Sequence, residues 1–587
     1  MPAWIRSALA ALMVVAAHEW SAAQDESRIQ VILSGAKPFR DDLKAIIGMA
    51  PGNLKKQANN VDETLESFQQ GLDPELPIGL DLIFGEKLIY QPVMPIKTFE
   101  GKVGFLANLK DFGWKIAGPD AGGLYTITEP PPAPPRGVKK AQPKAAAPAE
   151  PYYMRHIHQH AVISPRKADL PVNLANPGPG LKMLLGPHDL VARIEGDDKT
   201  LQKRRNTFAE FRKQIEAAIK FKRGESEAEF ELRKLGVAQN FNEAERFLIE
   251  SKLLEIGWTT DMAKKDGRGV LRLEALPKTS LEDSVHLLVK DPSYFANVTL
   301  HDKPVLALKV NFAIDDMRSQ HAKELYAALR PVMKLKIDER PALSEDGKKA
   351  AKETFNKFLD MLEAARALKV LDVFVDLHAA ETKHTLVCGI RCVNGDDAIP
   401  LIEAFPKIRE GWEIKTAIEE HGGVKIHSIG VAEHRKEEFE SLFAGPRVFY
   451  IGTSDKAVWG AAGVNALAEL KAAIDQSQQP APEKADPVFL SIKANFGPLV
   501  DLIHVLREKE PKKPAEDKEA QEAAEQLEKT LAKINKFAKD SFGLCEVALE
   551  GVMRREGDAV TGEMSVHECV LQFIGSVAAN WAAENLE

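Results

Sequence analysis

The chain has 587 residues, 44% apolar and 28% charged, a balance that excludes global disorder. Its 78 Lys and Arg against 86 Asp and Glu leave a net charge of −8, which excludes a nucleic-acid binder working through a basic surface. Four cysteines are too few for a disulfide-dense scaffold.

The first residues set the compartment. Arg6 precedes an apolar run at residues 8–15, and Ser21-Ala22-Ala23 follows as a small-x-small pattern suited to signal peptidase. The run is shorter than the about 20 apolar residues a helix needs to span a bilayer. Residues 1–23 therefore read as a signal peptide cut after Ala23, giving an exported chain, periplasmic or extracellular. The other reading is an uncleaved N-terminal anchor. No Cys follows the run to carry a lipid, and no stretch of the mature chain is apolar enough to cross a membrane.

The mature chain opens on a predicted strand at 29–35, and that strand type recurs. A weaker copy lies at 188–196, and two stronger ones at 302–312 and 486–496 share the ending Lys-x-Asn-Phe. A second element, a Gly-Trp hairpin, occurs as Gly113-Trp114-Lys115-Ile116 and again as Gly411-Trp412-Glu413-Ile414. Each is followed by a Gly-Gly turn, Gly122-Gly123 and Gly422-Gly423. Ordered matches at nearly constant spacing point to duplication. Residues 129–151 interrupt the first copy with Pro130-Pro131-Pro132 and a Lys/Ala/Pro tract, predicted to be an extended, disordered insertion.

His156-Ile157-His158-Gln159-His160 follows. On a straight strand alternate residues point the same way, so His156, His158 and His160 are candidate Zn²⁺ ligands. An open fourth position would suit a hydrolytic water. The matching stretch, Gly452-Thr453-Ser454-Asp455-Lys456, reads as a turn, and a turn here would make the three imidazoles diverge. Asn176-Pro177-Gly178-Pro179-Gly180 is a linker whose prolines remove donors a phosphate would need.

After residue 312, Phe355, Phe358, Leu359, Leu362 and Ala365 share one helix face. Residues 371–377 and 385–393 then alternate around Glu381-Thr382-Lys383. His378 and His384 flank that turn and are read as exposed, an approach across the hairpin being the alternative. Cys388 and Cys392 sit on one strand, too far apart to pair, as small buried residues. Beyond residue 496, Leu527, Leu531, Ile534, Phe537 and Ala538 mark another amphipathic helix. Residues 544–549 and 563–573 then form a hairpin about Gly557, in a register that sets Cys545 opposite Cys569 as a candidate disulfide.

These patterns predict an α+β fold of two duplicated halves, 24–299 and 300–587, each a mostly antiparallel sheet covered by amphipathic helices in β-α-α-β-β-α units. The chain lacks His-Glu-x-x-His, Gly-x-Ser-x-Gly and Walker-type signatures, so no catalytic residue and no cofactor is assigned. The signal sequence, paired Gly-Trp hairpins, Pro/Ala/Lys-rich insertion and closing Gly557-Asp558-x-x-Thr561-Gly562 turn resemble the large uncharacterised exported proteins of planctomycete bacteria. That resemblance covers most of the chain, rests on turns and strands, and implies no activity or ligand. The expected role is non-enzymatic binding of a ligand or partner, or a structural role. The alternatives are a metal-dependent hydrolase using the His cluster and a carrier of a lipid or other apolar ligand.

Overall fold

The computed structural model describes residues 27–84, 88–130, 150–341, 343–380, 383–408, 410–480, 486–498, 518–543 and 545–585. Residues 1–23, expected from the sequence to be a signal peptide, and most of the Pro-rich stretch, 131–149, lie outside them. The chain divides into two units. One comprises the residues up to Ala217 with Ala244–Leu281 and Ile574 onward, and the other Ala218–Glu243 with Glu282–Phe573.

The first unit holds strands β1 (Ser27–Leu33), β2 (Ile78–Phe84), β3 (Leu88–Pro95), β4 (Lys115–Ala117), β5 (Leu124–Thr128), β6 (Tyr152–Ile157), β7 (His160–Ser164), β8 (Leu190–Glu195), β9 (Ser251–Asp261) and β10 (Asp266–Ala275). They pair in the order β10-β9-β8-β1-β2-β3-β7-β6-β5-β4, every neighbour antiparallel. Alternation of apolar residues along the strands buries Ile78, Leu80, Ile127, Met154 and Ile163 against Phe105.

The second unit holds β11 (Pro304–Ala313), β12 (Val370–Ala380), β13 (Lys383–Arg391), β14 (Glu413–His421), β15 (Val424–Gly430), β16 (Val448–Thr453), β17 (Ala457–Ala462), β18 (Val488–Ala494), β19 (Leu549–Glu556) and β20 (Ala559–Val566). Their order is β20-β19-β18-β11-β12-β13-β17-β16-β15-β14, again antiparallel throughout. Phe295, Phe374, Ile426, Trp459, Leu470 and Ile474 form its core. The fold is thus α+β, mixed helix and antiparallel sheet. Among the described residues, no helix is long and apolar enough to cross a membrane.

Helices fill the long connections. Between β11 and β12, Asp316–Asp338 begins where the Asp315 carboxylate accepts from the Arg318 N–H, and Glu345–Ala365 begins where the Ser344 hydroxyl accepts from the Gly347 N–H. Each cap satisfies a donor that the first helical turn cannot. The face expected on the second helix is only partly covered: Leu359 is buried, but Phe358 is exposed.

Two expectations about the C-terminal hairpin are corrected. Its strands are β19 and β20, paired Leu549 with Val566, so the register differs by one from that expected. Cys545 lies before β19, after the helix Lys518–Phe542, and Cys569 lies in the first turn of the helix Glu568–Asn585. The alternation read into 563–573 is equally a helical spacing, and a short apolar run does not separate the two. The cysteines are nevertheless joined as a disulfide, with Cα atoms 6.1 Å apart, in a cluster with Phe496, Ala538 and Phe542. Cys388 and Cys392 carry free thiols, and burial pushes that of Cys392 up to about 11.

Candidate functional site

The three histidines of 156–160 do not form a metal set. Ile157 pairs with His160 across a two-residue turn, so His156 and His160 project from opposite faces of the hairpin. His158 occupies the turn with a left-handed backbone, φ 51°. His156 stacks flat on Phe99, the ring centroids 4.0 Å apart. His160 is buried, and neither of its ring nitrogens finds a hydrogen-bond partner. Burial pulls its pKa down to about 4. Period-two alternation holds within a strand and fails at a turn, which is why the straight-strand reading is overturned.

A different His/Asp set converges on β12. Its alternate residues Asp372, Phe374, Asp376 and His378 are all buried on one face of the sheet. His378 is therefore not an exposed turn residue, and it pairs in register with Thr385 rather than facing His384. Over this face lies the connecting segment 291–301, a strap that precedes β11.

The two carboxylates hold the strap down. Asp372 accepts from the Ser293 hydroxyl and from the Tyr294 N–H, both at 2.6 Å. Asp376 Oδ2 accepts from the His301 N–H and from His301 Nδ1, both at 2.9 Å. Between these anchors Phe295 inserts against Phe374, centroids 4.9 Å apart. Gly389 on β13 makes this possible, since a Cβ there would come within 2.6 Å of the Phe374 ring.

His301 and His378 stack, their ring centroids 3.5 Å apart and their planes within 18°. His378 Nδ1 lies 3.4 Å from Asp376 Oδ1, and its Nε2 lies 3.4 Å from Glu469 Oε2 on the helix Ala466–Ser477. Burial opposes charge on both Asp376 and His378. The imidazoles beside Asp376 outweigh it and hold the carboxyl below its usual range, and the Asp376 and Glu469 carboxylates likewise raise His378. Sequence reading missed Asp376 and His301. The available signal was in β12, where inward positions 372, 376 and 378 are polar in a strand whose other alternate face is apolar.

Beside the Asp372 anchor is a cleft of about 130 Å³. Pro292, Ser293 and Ala296 of the strap form one wall, Lys309 and Asn311 of β11 the floor, and Phe489 and Ser491 of β18 the other wall, with Asp486 at the edge. Lys309 donates to the Ala296 carbonyl at 3.1 Å, and Asn311 to the Asp291 carbonyl at 2.9 Å. Burial lowers the Lys309 pKa, against the pull of Asp486 and Asp372. Ser293 is not poised as a nucleophile: its hydroxyl donates to Asp372 and accepts from the Phe295 N–H, as a loop brace does.

No protein-family model matches the chain, and no curated protein or solved structure matches it either.

Proposed function

We propose that the chain is an exported, non-catalytic binding protein of two duplicated α+β halves, 24–299 and 300–587, and that the structural unit holding β11–β20 and the strap takes a small polar ligand in the cleft beneath that strap. The observation that carries the binding reading is Lys309. Lys309 is half-buried between walls of mixed polarity, and its hydrogen bond to the Ala296 carbonyl leaves ammonium donors for a ligand oxygen. Asp486 at the mouth offers the opposite charge, which favours a zwitterionic or neutral polar ligand over a plain anion.

The cleft's size bears on the alternatives. A volume of about 130 Å³ admits a few heavy atoms, whereas pockets for drug-sized ligands run to about 300–1,000 Å³. That gives a lipid carrier no support here. A hydrolase built on His156, His158 and His160 loses its geometric basis, because the hairpin separates them. Duplication is supported by the recurring strand motif and by the common order in which the strands of each unit pair. Export rests on the N-terminal pattern, in keeping with the resemblance to exported planctomycete proteins.

Thermal melts of the mature chain against free amino acids and small carboxylates test the binding reading. One ligand class should raise Tm in the wild type and fail to do so in Lys309→Met. Indistinguishable behaviour of the two chains across the whole set would sink it.

A further inference from the structure

Asp376 Oδ1 and His378 Nδ1 are buried polar atoms without a hydrogen-bond partner. Both side chains are only 6% exposed, and the two atoms face each other at 3.4 Å, a long ion-pair contact. Buried polar groups are nearly always paired, so such a facing pair asks for a third body between or beside them. The spacing says what kind. Two ligand atoms held at about 2.1 Å from one ion, at a tetrahedral angle, lie about 3.4 Å apart.

The surroundings complete a coordination sphere. His301 brings its ring within reach: one ligand atom from each of His301, Asp376 and His378 lies within 4.8 Å of the others. Its side chain is 52% exposed, so it can turn at the cost of its Nδ1 bond to Asp376 and its stack on His378. It must turn, because an ion lies in the plane of each imidazole that binds it, and two rings stacked 3.5 Å apart share no such plane. Glu469 sits beside the far nitrogen of His378, where a carboxylate fixes the tautomer and sharpens the basicity of the ligating nitrogen. The two oxygens of Asp376 divide their work. Oδ2 anchors the strap, and Oδ1 is left over.

We infer that His301, Asp376 and His378 form a binding site for a divalent transition-metal ion of the zinc class. Asp376 Oδ1 and His378 Nδ1 are the fixed pair, and His301 is the ligand that closes on the ion. Two imidazoles and one carboxylate are a borderline donor set, suited to Zn²⁺ or Co²⁺ and poor for Ca²⁺ or Mg²⁺, which take oxygen ligands. The exposed side of His301 leaves a further position open to solvent. This site is separate from the Lys309 cleft and does not depend on what the cleft binds.

The test is titration of the tag-free, chelator-stripped mature chain with Zn²⁺ and, separately, Co²⁺. One equivalent should bind and raise Tm, and the cobalt form should show the intense visible absorption of a four-coordinate ion. His301→Ala removes the ring's bond to Asp376 but keeps the backbone anchor, so the metal-free chain should stay folded with a lowered Tm while losing metal affinity at least tenfold. His378→Gln should abolish binding, and His156→Ala should leave it unchanged. Binding below about 0.1 equivalent in the wild type overturns the proposal. So does a folded His301→Ala chain that binds as the wild type does, because that places the metal elsewhere.

Discussion

His160 begins β7 as a neutral imidazole sealed into an apolar hairpin, opposite Pro95 of β3 and Ile157 of β6. Desolvation dominates its low pKa; His158, His156 and Lys182 also oppose the proton, and Asp73 favours it. The unfolded chain takes up this proton near 6.5 and the folded chain only near 4. Its contribution to stability is therefore complete above about 6.5 and is lost as pH falls toward 4, in total on the order of 3 kcal/mol. Urea unfolding from pH 7 to pH 4 should show the wild type losing that much more than His160→Leu; parallel curves for the two would refute the assignment. The residue types at 156–160 were legible in the sequence, but the direction of each ring depended on whether Gln159 closes a turn or continues a strand. Asp376 and His378 stood in plain alternation, and only the arrival of His301 from before β11 turns them into a cluster.

At the scale of elements, the disulfide shows how a pairing can be reached by the wrong path. Sequence placed Cys545 and Cys569 on two strands of one hairpin, whereas a loop and a helix N-terminus bring them together. The helix begins two residues after β20 ends at Val566, and Glu568 in its first turn was the overlooked sign, an acidic residue where the helix dipole favours one. The bridge closes a sequence separation of 24, for which chain-entropy arguments give about 3 kcal/mol. Denaturant unfolding of the oxidised chain should therefore exceed that of Cys545→Ala/Cys569→Ala by about that amount. Equal midpoints with and without reductant would show that the link carries no stability. The hairpins of β14–β15 and β4–β5 were easier to read, because Gly-Gly and Gly-Trp punctuate them on both sides.

For the whole molecule, the repeated Lys-x-Asn-Phe strands were the most informative stretch of sequence. They fall at β11 and β18, and the weaker copies fall at β8 and β1. In each unit these strands pair with one another, β1 with β8 and β11 with β18. What the sequence did not disclose is that β4 to β7 extend the same sheet beyond β3, since that depends on a long-range pairing of β3 with β7. Expression with the native N-terminus in a bacterial host should yield an extracytoplasmic protein whose first residue is Gln24. Recovery of a chain still starting at Met1, embedded in the membrane, would favour the retained anchor.

The seam between β1 and β8 also has a consequence in time. A chain leaves the ribosome from its N-terminus, and β2 emerges soon enough to cover one edge of β1. The other edge waits for residues 190–195. The waiting costs little at equilibrium, because loop-closure entropy grows only with the logarithm of length, but it leaves an extended strand with open N–H and C=O groups for as long as synthesis takes. The helices and the β4–β7 segment appear during that interval and can order locally. The second sheet repeats the delay, β11 standing open until β18 arrives. A chain cut short before residue 195 is consequently not a smaller version of the domain but a sheet with its middle exposed, primed to pair with whatever strand comes first.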